Sequence, residues 1–394
     1  MNHRYRAFAA AVALLGVTAC TDNNPDTASG TDGTDGTAGG APVAVSSTAT
    51  ECTLSATEAP SGNLVFEVTN DGDDVTEFYL LASDGLRIVG EVENIGPGLT
   101  RKLVVLAQPG DYITACKPGM VGEGIRADFT VNDSGNEVGP TGERAELLSV
   151  ATTQYAAYVK DQAEQLLAKT REFADLYRNG DDDAARALYA NARMHWERIE
   201  PVAESFGDLD PRLDLREADL EDGQEWTGWH TIEKDLWPPT DGSYTALSTQ
   251  RRNELADQLV ADTEELVERV GGLSFTADQL GNGAKELLDE VATGKVTGEE
   301  EAWSHTDLWD FQANVDGARI AFEDLRPALD TTDAELGTTL EKRFTELQSL
   351  LDQYKTTDGW KYYNELTEAE VKGLSDAVNA LSEPLSELTA AVVL

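Results

Sequence analysis

The chain has 394 residues, which is enough for two or three domains, and its 40% of hydrophobic residues is sufficient for packed cores. Its formal net charge is −43, with 73 acidic against 30 basic residues. A surface this acidic repels phosphate backbones and so excludes nucleic acid as a partner, while it either concentrates cations or simply keeps the protein soluble.

Residues 1–20 predict a bacterial lipoprotein signal peptide. Arg4 and Arg6 precede an apolar run of about a dozen residues, too short to span a membrane, and small residues precede Cys20. The stretch Val17-Thr18-Ala19-Cys20 resembles a lipobox, in which the cysteine is lipidated and becomes the mature N-terminus. An ordinary secretory signal with an incidental cysteine is the alternative.

Residues 21–45 predict a flexible tether. They are mainly Gly, Thr, Asp and Ala and offer almost no apolar side chains for burial. One lipid followed by a tether suits a domain held at the outer face of a membrane. Because that compartment is oxidising, the two remaining cysteines, Cys52 and Cys116, are expected to form a disulfide.

Residues 46–133 predict an antiparallel β-sandwich. Segments in which apolar and polar residues alternate, such as LVFEVTN and DYITAC, are separated by turn signals such as Asn70-Asp71-Gly72 and Pro109-Gly110. This part of the sequence contains neither tryptophan nor histidine.

Residues 134–394 predict an all-α helical bundle, or two bundles in tandem. Apolar residues recur at helical spacing, a first helix ends at Gly180, and a second helix opens at Asp181 and is expected to bend at Pro201. Further helices are predicted near 247–270, 276–292, 298–326, 332–356 and 366–390. The predicted fold class is therefore a two-domain protein, a β-sandwich followed by a helical bundle.

The segment GWHTIEKDLW, residues 228–237, carries a candidate metal site. His230 and Glu233 stand three positions apart and therefore share one face of a helix. An imidazole together with a hard carboxylate oxygen suits iron, zinc or another divalent ion. The pair alone is a weak signal, because the same spacing occurs by chance on the polar face of an ordinary helix.

Three other segments strengthen this signal, and one of them, LDLREADLEDGQEW, adds Asp219, Glu221 and Asp222. MHWERIEPVAESFG stacks like charges at helical spacing, which costs stability unless they are solvated or neutralised, and AWSHTDLWDFQ sets acids among tryptophans. Bundles build metal sites from Glu, Asp and His on separate helices, although a solvated surface is the alternative for each acid. The predicted ligands are Glu200, His230, Glu233 and Asp307, with Glu197, His305 and Asp310 as second choices.

These segments resemble the imelysin-like family, whose mark is Gly-x-His-x-x-Glu, here Gly228, His230 and Glu233. The segments VTEFYLL, GEVENIGPG and PGDYITACKPGM are similar to a cupredoxin-like domain. The order of the two domains resembles the extracytoplasmic component of the Efe iron-uptake systems. This resemblance implies metal binding in both domains, capture and hand-over of iron, and partnership with a membrane iron permease and an extracytoplasmic haem peroxidase.

The β domain departs from a copper-binding cupredoxin. Type-1 copper needs two histidines and a free cysteine, and this domain has no histidine, so blue copper is excluded. Carboxylates remain, either as a weaker site for a hard ion such as ferric iron or as a solvated edge of the sandwich. These carboxylates are Glu77, Glu91, Glu93 and Asp111.

Two other functions fit parts of the pattern. The imelysin-like family is also catalogued as peptidase family M75, so a zinc metallopeptidase with Glu233 as ligand or base is the alternative, although His-Glu-x-x-His is absent. A scaffold that docks a peroxidase would hold no tight metal. Metal content and a peptide-cleavage assay distinguish the three.

Overall fold

The computed structural model describes residues 41–220 and 223–394. Within these ranges it contains no helix that is both long and apolar enough to cross a membrane. The predicted signal peptide, its lipidation site Cys20 and most of the predicted tether lie outside the described residues. A β-sheet region over residues 43–132 precedes helices over residues 143–393, so the predicted two-domain fold class is confirmed.

In the described part of the chain, nine strands form the two sheets of the sandwich. They are β1 (Val43–Ser47), β2 (Cys52–Leu54), β3 (Glu58–Pro60), β4 (Gly62–Asn70), β5 (Thr76–Ala82), β6 (Ile88–Ile95), β7 (Thr100–Ala107), β8 (Gly110–Pro118) and β9 (Ile125–Asn132). One sheet has the order β2-β1-β4-β7 and the other β3-β9-β8-β5-β6. Neighbouring strands are antiparallel, as predicted, except that β1 is parallel to β4 and β3 to β9.

The core of the sandwich lies between the two sheets, because successive side chains of a strand point to opposite faces. The ring of Phe66 on β4 lies 5.0 Å from that of Phe78 on β5 and 5.4 Å from that of Phe129 on β9. A disulfide joins Cys52 on β2 to Cys116 on β8 and therefore connects the two sheets.

Strand β1 begins inside the segment predicted as a tether. Val43 and Val45 are 3% and 2% exposed, and β1 pairs with β4. The tether predicted through residue 45 therefore has to end before Val43. The alternation of two valines is too short to identify a strand from sequence. The segment forms a strand because β4 offers partners for its backbone hydrogen bonds.

The helices of the described chain follow the sandwich. They are α1 (Glu143–Asn179), α2 (Asp182–Glu197), α3 (Leu209–Asp214), α4 (Trp229–Leu236), α5 (Thr249–Val270), α6 (Ala277–Thr293), α7 (Asp307–Leu329), α8 (Ala334–Leu351), α9 (Glu368–Leu385) and α10 (Leu388–Val393). Short 3₁₀ helices cover Glu200–Phe206, Glu217–Asp219, Lys295–Thr297, Asp352–Tyr354 and Tyr363–Glu365, and β10 (Lys355–Thr356) pairs with β11 (Gly359–Trp360). Helix α1 lies against α2, α5 and α7.

Two predicted helices differ from the observed ones in ways that matter for the site. The bend expected at Pro201 is a change of helix type, since α2 ends at Glu197 and a 3₁₀ helix begins at Glu200. The helix predicted over 298–326 is wrong in its first part, because α7 begins only at Asp307. Gly298 and His305 have φ of +78° and +59°, left-handed conformations that an α-helix of L-residues does not contain.

Helix α6 packs against strands β6 and β7 of the sandwich. Asp278 Oδ2 accepts a hydrogen bond of 2.8 Å from the N–H of Leu106, and the side-chain amide of Asn282 donates to the carbonyl of Val104 at 2.9 Å. These bonds satisfy backbone groups of β7 and place the carboxylates of β6 beside the helices.

Candidate metal centre

Gly228 sets the position of α4 against α3. Its φ is +83°, and a Cβ atom at this position would lie 2.1 Å from the carbonyl oxygen of Leu213. Glycine is the residue that permits both this dihedral angle and this close approach. The first turn of α4 therefore lies beside the end of α3, and His230 is brought next to Asp214.

His230 is almost completely buried, with 1% of its surface exposed, and carboxylates face both sides of its ring. Nδ1 lies 3.2 Å from Oε2 of Glu233 in hydrogen-bonding geometry. Nε2 lies 3.4 Å from Asp214 and 3.5 Å from Glu300, but it has no hydrogen-bond partner among the described residues. Because buried ring nitrogens are normally hydrogen-bonded or metal-bound, Nε2 is a candidate metal ligand.

Glu233 is held by the turn that precedes α7. Its Oε1 accepts hydrogen bonds from the backbone N–H groups of Trp303 at 3.0 Å and Ser304 at 2.7 Å. The hydroxyl of Ser304 donates to Glu301 at 2.7 Å, so the same turn positions a second carboxylate. Contacts of this kind fix the direction of a metal-binding ring and its neighbouring carboxylates.

Within the described residues, two overlapping sets of three side chains bring ligand atoms within 4.8 Å of one another. One set is Asp214, His230 and Glu300, and the other is His230, Glu233 and Glu301. Both combine one imidazole nitrogen with carboxylate oxygens. Such a donor set suits iron, zinc and related ions, and the number of oxygens favours the harder ones.

Arg193 supplies positive charge at the centre of this cluster. It is fully buried on α2, and its guanidinium forms ion pairs with Glu301 at 2.6 Å and with Glu300 at 3.4 Å. It also pairs with Glu197 and Asp214. Carboxylates buried this close together would repel one another without a cation. The guanidinium therefore stabilises the cluster, and an incoming metal ion has to share these carboxylates with it.

The protonation states follow from these contacts. Burial and Arg193 lower the pKa of His230, but the carboxylates around its ring outweigh them and hold the pKa well above its ordinary value. Burial opposes ionisation of Glu300 and Glu233, yet Lys295 and His230 lower the pKa of Glu300, and His230 lowers that of Glu233. These contacts favour a protonated ring beside ionised carboxylates, and a metal ion at Nε2 would replace the proton.

Two of the predicted ligands, Glu197 and Glu200, face a lysine instead of His230. The buried ammonium group of Lys295 lies 3.0 Å from Oε2 of Glu197 and 2.7 Å from Oε2 of Glu200. Neither glutamate belongs to the two sets around His230. Glu200 therefore lies outside both sets in this structure, and its assignment as a metal ligand stays a prediction.

Asp307, His305 and Asp310 also lie near the centre but outside both sets. Asp307 accepts a hydrogen bond of 3.2 Å from the N–H of Glu301, and burial raises its pKa to about 7. Asp310 is fully buried and pairs with Arg193, whereas His305 is half-buried. Asp307 therefore supports the turn that carries Glu301.

The β-domain carboxylates occupy three different surroundings. The hydroxyl of Tyr79 is 2.7 Å from Glu77 and 3.1 Å from Glu93, so it can donate to either. Glu91 is 6% exposed, and its Oε2 has no hydrogen-bond partner among the described residues. Asp111 is exposed near the start of β8, whereas Glu77 pairs in register with the end of that strand. The structure thus separates Asp111 from the other three.

Sequence reasoning missed Asp214, Glu300 and Glu301. Asp214 closes a short helix and the two glutamates lie in a turn, so no helical spacing connects them with His230. The run of three glutamates before a tryptophan is the signal that could have pointed to the turn. Arg193 was missed because a basic residue on an amphipathic helix is usually exposed.

The helical domain carries the signature of a known family. A sequence profile of the imelysin family, classified as peptidase M75, matches residues 151–388. The match includes α4 with His230 and Glu233, and the turn with Glu300 and Glu301. Because it covers more than half of the chain, this protein belongs to the imelysin family.

Comparison with relatives that align over both domains is more specific than the family match of the helical domain. The chain is 38% identical over 341 residues to "Iron uptake system component EfeO" of Yersinia pestis, across 86% of this chain and 88% of that protein. It is 38% identical over 341 residues to EfeO of Yersinia pseudotuberculosis serotype I, across 86% and 87% of the two chains. The identity to EfeO of Escherichia coli O157:H7 is 36% over 358 residues, across 88% and 90%. The resemblance to Efe components is therefore confirmed.

Proposed function

We propose that this chain is the extracytoplasmic iron-binding component of an Efe-type uptake system, which captures iron and hands it to a membrane permease. The observation that carries the proposal is the buried Nε2 of His230, which has no hydrogen-bond partner among the described residues and faces two carboxylates. The relatives named as iron-uptake components support iron as the ion. The action is binding and release, without a bond being broken in the cargo.

The proposed ligands are Nε2 of His230 and the carboxylates of Asp214 and Glu300. Glu233 contacts the opposite nitrogen of the ring and is itself anchored by two backbone N–H groups, which suits a residue that orients the imidazole. This assignment differs from the sequence prediction, in which Glu233 is a direct ligand. Glu301 would stay paired with Arg193 and complete the outer contacts.

The proposed setting is the outer face of the cell membrane. Signal peptide 1–20, lipidation at Cys20 and a tether that ends before Val43 would anchor the protein there. The resemblance to Efe components supports a membrane iron permease and an extracytoplasmic haem peroxidase as partners. The net charge of −43 would raise the local concentration of cations around the anchored protein.

The zinc metallopeptidase alternative comes from the family's classification. A catalytic zinc needs an open coordination position beside a cleft that holds the substrate. His230 opens on a cavity of about 260 Å³ whose lining includes Arg216 and Trp303. The donor set around His230 has one imidazole and several carboxylates, and the His-Glu-x-x-His motif of zinc peptidases is absent from the sequence. This donor set, together with the relatives named as iron-uptake components, therefore favours ion binding.

The test is a titration of the purified protein with ferric citrate. His230→Ala is expected to weaken iron binding by more than about 100-fold, because losing a direct ligand should exceed the loss from an outer contact. His305→Ala is the matched control, since His305 lies in the neighbouring turn outside both sets, and its affinity should equal that of the wild type. Equal affinities of wild type and His230→Ala would contradict the proposal, and peptide cleavage by the zinc-loaded protein would favour the alternative.

A further inference from the structure

A second group of carboxylates lines a cavity of about 350 Å³ between the sandwich and the helices, which we call the acidic chamber. Glu91 and Glu93 of β6 contribute to it from the sandwich. Ten of the seventeen described residues that line it are Asp or Glu, against one basic residue, Arg216. The chamber is therefore large enough to hold several water molecules or a hydrated metal ion.

Glu91 is the residue that points to a ligand in this chamber. It is 94% buried, as its 6% exposure implies, and its Oε2 has no hydrogen-bond partner among the described residues. Burial, followed by the charges of Glu93 and Glu286, raises the pKa of Glu91 well above its ordinary value. A buried carboxyl oxygen without a partner is costly, and a cation in the chamber would supply the missing interaction.

Glu204 and Glu286 reach the chamber from two helical elements that touch. Glu286 is on α6 and Glu204 is in the 3₁₀ helix that follows α2. A Cβ atom on Gly283 of α6 would lie 1.8 Å from the carbonyl oxygen of Pro201, so only glycine lets the two elements approach this closely. Both carboxylates line the chamber together with Glu91.

The chamber also reaches the candidate metal centre. Asp214 and Glu300 line it, and the same carboxylates lie 3.4 Å and 3.5 Å from Nε2 of His230. Among the described residues, the sets of three ligand atoms within 4.8 Å are the two around His230. The other chamber carboxylates are therefore too widely spaced to replace the water shell of an ion, whereas the metal centre is compact enough to do so.

We infer that the acidic chamber binds a hydrated, hard multivalent cation through Glu91, Glu204 and Glu286 and passes it to the metal centre. A donor set made of oxygens selects hard ions, and retained water keeps the binding weak enough for release. The identity of this ion as iron rests on the proposed function, but its binding in the chamber does not. The sandwich thus contributes one of the three carboxylates of a shared entry site, in place of an independent site of its own.

The test uses Tb³⁺, a hard trivalent ion whose emission is excited by nearby tyrosine and tryptophan, on the purified protein at physiological salt. Wild type is expected to show two classes of site, a tight one and a weaker one. Glu91→Gln/Glu204→Gln/Glu286→Gln should lose the weaker class and load the tight class at least tenfold more slowly. The control Asp73→Asn/Asp74→Asn/Asp128→Asn removes the same charge from exposed positions of the sandwich and should behave as wild type.

The outcomes separate this inference from the proposed function. Wild-type stoichiometry and loading rate in the chamber variant would overturn the inference. Loss of the weaker class there, combined with unchanged tight binding in His230→Ala, would overturn the metal centre and leave the chamber standing. Because glutamine keeps the shape of glutamate and removes repulsion, the triple variant is expected to fold, which its melting temperature verifies. Glu91→Gln alone should also reduce Tb³⁺ binding at the weaker class of site, but by less than the triple variant.

Discussion

Arg193 is a buried cation that compensates the negative charge of the carboxylates at the metal centre. Its guanidinium pairs with carboxylates on several elements, and both it and Glu301 are fully buried. Arg193→Leu would leave these carboxylates without their counter-charge. Removing one partner of a buried ion pair typically costs about 3–5 kcal/mol. We expect a loss of this size in the free energy of unfolding of the metal-free protein, measured by urea denaturation.

The metal-loaded protein should respond differently to this substitution. A bound ion replaces part of the missing positive charge, so ferric citrate should recover more stability in Arg193→Leu than in the wild type. Arg171→Leu is the control, because the pair of Arg171 with Glu264 is exposed and such pairs contribute about 0–1 kcal/mol. An equal deficit with and without iron would show that Arg193 supports the fold and not the site.

Asp324 offers a test of pH dependence away from the site. Burial, followed by Glu323, raises the pKa of Asp324 to about 6, against about 3.9 in an unfolded chain. Between these values the folded state binds more protons, so this residue's contribution to stability is lost as pH rises through about 6. Asp324→Asn mimics the protonated form and should raise the melting temperature near pH 7 but not near pH 4.

The expected size of this stability gain follows from the exposure of Asp324. The side chain is half-buried, so the gain near pH 7 is expected to be about 1 kcal/mol or less. Thermal melts of wild type and variant at both pH values give the comparison. A difference between the two proteins that stays constant with pH would rule out the titration of Asp324 as its cause.

At the scale of the elements, the metal centre depends on how α4 enters the bundle. Gly228 lets its first turn pack on α3, and a methyl group there would collide with the carbonyl of Leu213. A non-glycine residue at positive φ costs about 1–3 kcal/mol before the collision is counted. Gly228→Ala should therefore lower the free energy of unfolding by at least about 2 kcal/mol and move His230 away from Asp214.

Stability and iron affinity together decide this prediction. Gly373→Ala is the control, since a Cβ atom at Gly373 on α9 meets nothing within 4 Å, and alanine in a helix is expected to be neutral or stabilising. If Gly228→Ala melts as the wild type and binds iron equally well, the contact between α3 and α4 does not position the site.

The positions of most helices were predictable because the spacing of apolar residues along the sequence reflects which side chains are buried. The helix predicted over 247–270 is α5 (Thr249–Val270), and that over 276–292 is α6 (Ala277–Thr293). The helix prediction failed in the residues before α7. Glutamates there favour a helix in isolation, but in the fold their side chains bind buried partners. Gly298 and His305 adopt left-handed backbone there, and a single sequence does not reveal such tertiary constraints.

The candidate site was predictable in part for the same reason. His230 and Glu233 are joined by helical spacing, so their proximity follows from sequence. Asp214 and Glu300 approach from a helix end and a turn, and only the packing of α3 and α4 brings them to Nε2. Glu200 was assigned to the site because like charges are stacked at helical spacing in its segment, and in the structure its carboxylate pairs with Lys295.

At the scale of the whole molecule, separating the two domains would affect the metal centre and the acidic chamber differently. Asp214, His230 and Glu300 all belong to the helical domain, so the metal centre is complete without the sandwich. The acidic chamber needs both, because Glu91 belongs to β6 and Glu286 to α6. Loosening the contact between the domains should therefore affect the two sites unequally.

Asp278→Ala/Asn282→Ala tests this difference. It removes the side chains that bond the backbone of Leu106 and Val104, and each backbone group left unsatisfied costs about 1–3 kcal/mol. We expect weaker Tb³⁺ binding in the chamber, with ferric citrate binding at the metal centre unchanged within about twofold. Asn379→Ala is the control, because Asn379 is exposed on α9 and bonds only within its own helix. If both affinities fall together, the metal centre also depends on the docked sandwich, and transfer would then require the two domains to stay in contact throughout loading.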